Sequence, residues 1–157
     1  ADGKFESEEN EKLGFQSFGA HFCEVKVDAD LPLVRVTRWV SVMNCGRVIN
    51  PKTGGSQILG GIVMGVGMAL EEETVYDPAT GLPATRNLAD YHVPVHADIH
   101  SIDVHFAGEP DYAFNPMGAR GMGEIGITGA AAAVANAVYH ASGKRVRDLP
   151  ITMDKLI

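Results

Sequence analysis

The chain has 157 residues, enough for one domain that buries its own core. With 45% apolar and 21% charged residues it has the composition of a soluble globular protein, which excludes a disordered tail and a disulfide scaffold. A net charge of -7, from 13 basic and 20 acidic residues, gives no footprint for nucleic acid or an anionic membrane face.

Residues 1–14 are mostly polar and read as a frayed start, with no signal peptide expected there. Residues 15–157 read as a single domain. Residues 18–28 (FGAHFCEVKVD) alternate apolar and polar, the mark of a strand with one buried face. Asp28-Ala29-Asp30 is a turn, and residues 33–42 alternate again with β-branched side chains, so the two strands are expected to pair as a hairpin. Asn50-Pro51 has the form of an N-cap followed by proline at the first helical position. A helix is expected over 51–73. Its apolar stretch, residues 58–70, falls short of the roughly 20 needed to span a bilayer and reads as a buried helix.

The glycines at 60, 61, 65 and 67 each cost about 1 kcal/mol in a helix interior. Close packing against another backbone is the expected compensation. Glu71, Glu72 and Glu73 would close this helix at the unfavourable end of its dipole. Residues 82–97 contain Pro83 and Pro94 and read as an extended loop, and residues 99–106 as a third strand. A last helix is expected over 128–141, stopped by Gly143. Leu149, Ile151, Met153 and Leu156 of the tail are available to dock on the core. The fold class is α+β: one small sheet with a hairpin near the N-terminus and two main helices packed on it.

Eighteen glycines are many for this length, and they cluster at 54–67 and 118–129. Clustered glycine lets backbone approach another element or a ligand. In MGARGMGEIGITG, residues 117–129, five glycines surround one carboxylate, Glu124, with a helix expected a few residues on. Two readings stand: a ligand loop with a working carboxylate, or a glycine-rich loop whose glutamate is a solvated cap. Gly121, Gly123 and Gly126 spell G-x-G-x-x-G, but no apolar strand precedes them, which excludes a dinucleotide fingerprint. In the second cluster Gln57 sits among glycines in the first turns of the helix, where an amide donates and accepts toward a ligand. The other reading there is a close helix–helix contact with Gln57 on the surface.

No metal site is expected in this chain. His92, His96 and His100 recur every four residues, but Pro94 prevents a regular helix from presenting them together. Cys23 and Cys45 belong to no CxxC or Cys/His cluster. His21, His105 and His140 read as surface residues, and Arg35, Trp39 and Tyr91 as packing and surface.

Four segments stand in a fixed order: GAHFCEVKVD, NCGRVINPKTGGSQILGGIVMGVGMALEEE, DYHVPVHADI and NPMGARGMGEIGITGAAAAVANAVYHASG. Together they resemble the C-terminal part of the large, molybdenum-binding subunit of the xanthine oxidase / aldehyde oxidase family. The nearest look is to bacterial aldehyde oxidoreductases that use molybdopterin cytosine dinucleotide. The resemblance implies a C-terminal molybdopterin-binding domain. It implies that Glu124 is the catalytic base, taking a proton from the hydroxyl ligand of molybdenum. Gln57, in Q-x-x-G-G, would contact the pterin, and Gly121, Met122 and Gly123 would bring backbone against the metal centre. Arg120 stands where many relatives have lysine, and Asn44 where many have aspartate.

The partners implied are the remainder of the molybdenum subunit, iron–sulfur (2Fe-2S) and FAD subunits, and a small aldehyde or N-heterocycle. The family's catalytic subunit is much longer, so the resemblance implies a fragment or separately encoded piece. That piece would be inactive and without cofactor in isolation. It would also expose apolar surface near 54–67 and 117–126. The alternative is a non-catalytic α+β interaction domain whose glycine-rich segments serve packing alone.

Overall fold

A computed structural model of the chain describes residues 12–157; residues 1–11, most of the expected frayed start, lie outside the described residues. Strands β1 (Phe18–Val27) and β2 (Val34–Asn44) pair antiparallel. The turn between them is held by Asp28, whose carboxylate accepts from the backbone N–H groups of Leu31 and Asp30, each at 2.9 Å. Those two bonds hold its carboxyl below the usual range.

The hairpin carries a β-bulge that the alternation does not announce. The register passes from Glu24 opposite Arg38 to Val25 opposite Val36, so Thr37 is one residue too many. The bulge switches which side of β2 faces inward. Val36 is buried, and after the extra residue Trp39, Ser41 and Met43 are buried. Arg35 and Arg38 both stay outside.

Strand β3 (Ile102–Phe106) joins the far side of β2 in parallel, from Trp39 opposite Ile102 to Met43 opposite Phe106. The sheet order is β1-β2-β3, with β2 central. The strand is shorter than expected from sequence, although Ile99 still makes an isolated bridge to Val36.

Helix α1 (Pro51–Leu70) starts where Asn50 and Pro51 require. The Asn50 side chain accepts from the N–H groups of Lys52 and Thr53 at 3.1 and 3.2 Å. The helix ends at Leu70, ahead of the three glutamates, with Glu71 as its C-cap. Glu72 accepts a hydrogen bond from the Tyr91 hydroxyl at 2.8 Å, tying the long loop to the helix end. At 20 residues α1 has the length of a bilayer span. Its inner face, however, is taken up by the core.

That face is Ile58, Ile62, Val66 and Ala69, at helical spacing. It meets Val36, Trp39 and Met43 of β2, Ala130, Val134 and Val138 of a C-terminal helix, and Ile151 and Leu156 of the tail. Full burial of each larger side chain stabilises by about 1.5–3 kcal/mol. The tail docks through a bond from the Ile151 N–H to the Ala69 carbonyl, 2.7 Å, while Leu149 and Met153 remain exposed.

The C-terminal helix differs from expectation at its start. A single turn, α2 (Ile125–Thr128), precedes α3 (Ala130–Ser142), with Gly129 between them. The two glycine clusters meet here. A Cβ on Gly61 would lie 2.9 Å from the Gly126 carbonyl carbon, and one on Gly126 would lie 2.7 Å from the Ile58 carbonyl oxygen. One on Gly65 would collide with the Ala130 side chain.

Two neighbouring glycines should therefore answer alanine with opposite signs. Gly60→Ala meets nothing within 4 Å and should stabilise by about 0.5–1 kcal/mol through helix propensity. Gly61→Ala presses a methyl on backbone that cannot yield cheaply and should destabilise by about 1–3 kcal/mol. Urea unfolding of the two variants checks this; equal shifts would mean that the backbone contact is slack.

Candidate cofactor and catalytic site

The site is built on a loop pinned to the end of β2. The Arg120 N–H bonds to the Cys45 carbonyl at 2.7 Å. The Gly118 carbonyl accepts from the N–H groups of Arg47 and Asp111 at 2.7 and 2.8 Å. Gly46 and Gly118 face each other with φ of 68° and 69°, a conformation that favours glycine. The Arg120 guanidinium bonds to both the Asp111 carboxylate and the Asn44 side-chain oxygen. Its side chain is only 11% exposed, and its Nε is buried without a partner among the described residues. Asn44 and Arg120, the two positions read as departures from the family's pattern, are thus in contact. Asp111, the counter-charge of Arg120, carried no signal in the sequence.

Beyond Arg120 the chain turns through Gly121, Met122 and Gly123 into Glu124. Here backbone and side chain are treated differently. The Gly123 carbonyl accepts from Gln57 Nε2 at 2.7 Å. The Glu124 carbonyl accepts from the Ile127 N–H at 3.1 Å and the Thr128 hydroxyl at 3.0 Å. Two successive residues are tethered through their main-chain carbonyls, to Gln57, Ile127 and Thr128. The Glu124 carboxylate is exposed, does not cap α2, and has no hydrogen-bond partner among the described residues. The helix beside it is one turn long, so the dipole expected to favour its charge is small.

Gln57 is therefore a strut as well as a surface amide, since its NH₂ group reaches across to the glycine loop. Met122 turns inward: a Cβ on Gly54 would lie 3.2 Å from its sulfur. Gly121 and Gly123 are glycines that the described residues do not require. Neither has a positive φ, and a Cβ on either would meet nothing within 4 Å. They lie flat and open beside an unbonded carboxylate.

Other candidates hold less. Burial, with Glu24 adding to it, pushes the Cys23 thiol up to about 12, and burial raises that of Cys45 against the nearby Arg120, so neither is a ready nucleophile. No three His, Cys, Asp or Glu side chains among the described residues are grouped to hold a metal ion. A groove of about 650 Å³ is lined in part by Leu33, Leu70, Glu71, Tyr91, His92 and Asp98. Burial, reinforced by Asp98 and Glu72 and opposed by His92, raises the Glu71 carboxyl there. None of the glycine-loop residues lines it.

His21 is not the surface residue expected from its strand. It is half-buried between the sheet and the Glu124 turn, with Nδ1 2.7 Å from Ser41 Oγ and its ring edge-on to Trp39. Sequence reading missed it because the bulge in β2 decides what lies opposite.

A family model described as "Molybdopterin cofactor-binding domain" matches residues 1–100, a span that includes Gln57 and stops before Glu124. The aldehyde oxidoreductase molybdenum-binding subunit PaoC of Escherichia coli is 45% identical over 164 residues, covering all of this chain and 22% of that protein. The 6-hydroxypseudooxynicotine dehydrogenase complex subunit gamma of Paenarthrobacter nicotinovorans is 36% identical, with 88% of this chain and 18% of that protein covered. Among solved structures, quinoline 2-oxidoreductase from Pseudomonas putida matches with a TM-score of 0.80 and 34% identity, over 87% of this chain and 18% of that one. The aldehyde oxidoreductase of Desulfovibrio desulfuricans matches with a TM-score of 0.79 and 30% identity, over 89% and 15%. The chain spans about a fifth of the length of the relatives it matches. With its α+β fold and its paired glycine segments, it belongs to the molybdopterin cofactor-binding domain family of the molybdenum hydroxylases.

Proposed function

We propose that this chain is the C-terminal portion of a molybdenum hydroxylase that oxidises aldehydes or N-heterocycles with water-derived oxygen, and that Glu124 is its catalytic base. The observation that carries the proposal is the contrast at residues 123–124: two tethered backbone carbonyls and one carboxylate left without a bond among the described residues. Such an arrangement fixes a group in space while keeping its lone pairs for chemistry. The names of the relatives, an aldehyde oxidoreductase subunit and a quinoline oxidoreductase, support the substrate class.

The cofactor would be molybdopterin cytosine dinucleotide with molybdenum, which supplies the two-electron oxidation when bound. The open faces at Gly121 and Gly123 fit a bulky group lying on the backbone. Gln57 would offer it Oε1 and its second amide N–H, the first being spent on Gly123. Glu124 would accept the proton from the attacking oxygen and keep it close to the reacting carbon.

The alternative reading, glycines that serve only packing, accounts for Gly61, Gly65 and Gly126. It does not account for Gly121 and Gly123. Leu59, Met64 and Met68 are exposed on α1, and Met117 on the loop. These would meet the remainder of the molybdenum subunit. Iron–sulfur (2Fe-2S) and FAD subunits would take the electrons onward. Alone, the chain would hold part of the cofactor site and be inactive.

Elemental analysis of the complete protein, purified from cells that make the cofactor, tests this. Stoichiometric molybdenum with releasable pterin is expected. Protein with neither, from cells that load other molybdenum enzymes, would overturn it.

A further inference from the structure

We infer that Gln57 is a positioning residue: from helix α1 it holds the Gly123–Glu124 peptide plane and so sets the direction in which the Glu124 side chain leaves the backbone, a role that rests on the reading of Glu124 as the base. Peptide units are planar, so the Cα–Cβ bond of a residue is fixed in space once the two planes flanking its Cα are fixed. Both planes at Glu124 are held. The plane before it contains the Gly123 carbonyl, which accepts from Gln57 Nε2 at 2.7 Å. The plane after it contains the Glu124 carbonyl, which accepts from the Ile127 N–H at 3.1 Å and the Thr128 hydroxyl at 3.0 Å. Between them Glu124 takes φ of -121° and ψ of -2°.

The two tethers differ in kind. Ile127 and Thr128 belong to the same short turn as Glu124, so their bonds shape the turn without placing it. Gln57 stands 66 positions away, on a 20-residue helix whose inner face is part of the core. Among the described residues, its bond is the one that ties the plane before Glu124 to another element.

After Glu124, close packing on the same helix seats the chain. A Cβ on Gly126 would lie 2.7 Å from the Ile58 carbonyl oxygen, and one on Gly61 would lie 2.9 Å from the Gly126 carbonyl carbon. Before Glu124 the packing is looser. The flexible thioether of Met122 lies close to Gly54, and Gly121 and Gly123 have open space where a Cβ would stand. Glycine turns about φ and ψ at little steric cost, so the peptide between Gly123 and Glu124 is free to swing unless a bond stops it. The Gln57 amide is that bond. It lies at the surface, so losing it should leave the fold intact and release the direction of the carboxylate.

A double-mutant cycle on the complete, cofactor-loaded protein tests the inference, read by turnover per bound molybdenum and by peptide-resolved hydrogen–deuterium exchange. Gln57→Met matches glutamine in length and has no donor, while Gln57→His brings an Nε2–H to nearly the same place. In Gln57→Met, exchange across residues 121–128 should rise about fivefold relative to α3, the effect of one lost surface hydrogen bond. kcat should fall at least about tenfold with KM within about twofold, because a misplacement of about 1 Å costs up to about 10²-fold. Gln57→His should restore most of both. In a Glu124→Gln background, Gln57→Met should cost less than about twofold in turnover, because no base is left to misplace. An equal loss in both backgrounds would mean that Gln57 acts on the cofactor and not through Glu124, and would overturn the inference. So would unchanged kcat in Gln57→Met, or equal acceleration of α3 and the turn. Should Gln57→Met lose its cofactor, exchange in the metal-free Met and His variants decides, and equal exchange in the two would overturn the tether. If Glu124→Gln alone keeps full turnover while the exchange pattern holds, the role of Glu124 has failed and the tether has not.

Discussion

Glu124→Gln should lower turnover per bound molybdenum by about 10²–10⁴-fold, the usual worth of a general base, or about 2.7–5.4 kcal/mol of barrier. Molybdenum and pterin content should stay near normal. The structure separates these two outcomes. The bonds around residue 124 are made by backbone: the Gly123 carbonyl with Gln57, the Glu124 carbonyl with Ile127 and Thr128. The Glu124 side chain has no partner among the described residues. An amide of the same shape therefore leaves the turn, the glycine faces and the Gln57 strut as they were, and removes only the ability to take a proton. The measurement is turnover divided by metal in the complete enzyme. A variant within a few-fold of wild type would make Glu124 an exposed cap and end the catalytic reading. A variant that lost its cofactor would instead make the carboxylate part of the binding site.

How far this site could be read in the sequence depends on what each residue needs in order to act. Glu124 and its glycines are local: five glycines around one acid are visible as letters, and the unoccupied space over Gly121 and Gly123 agrees with the reading. The hairpin and α1 were legible too, because period-2 alternation and an Asn-Pro cap are local signals. Residues that act through register were hidden. His21 finds Ser41 only because Thr37 is bulged out and Trp39, Ser41 and Met43 turn inward together. The end of α1 at Leu70 was misjudged because the next residues are good helix formers, while Glu71 leaves helical geometry with φ of -134° and the Glu72 N–H bonds back to the Gly67 carbonyl at 2.8 Å, which ends the helix there. The single turn at Ile125–Thr128 was not expected, since the last helix was placed from Thr128 onward, while a Cβ at Gly129, between the two helices, would lie 2.7 Å from the His21 ring.

Asp111→Ala should destabilise the protein by about 3 kcal/mol, near the lower end for breaking a buried ion pair. The Arg120 and Asp111 side chains are 11% and 21% exposed, so solvent does little to screen the loss. The variant strands a guanidinium whose Nε already lacks a partner, with only the neutral Asn44 oxygen left to it. Adding Arg120→Met should recover much of the loss, because the cost lies in the abandoned charge and not in the missing pair. The same geometry makes the two departures from the family pattern one change. Arg120 reaches Asp111 and Asn44 from two separate nitrogens of its planar fork, a span that the single compact nitrogen of a lysine does not reproduce. Arg120→Lys alone should therefore destabilise. Arg120→Lys with Asn44→Asp should cost less than the two changes measured separately. Urea midpoints for the single and double variants give the coupling directly. A strictly additive cycle, or an Asp111→Ala variant within about 0.5 kcal/mol of wild type, would mean that this cluster is solvated and that the loop carrying Gly121–Glu124 is anchored by its Gly118 and Arg120 backbone bonds alone.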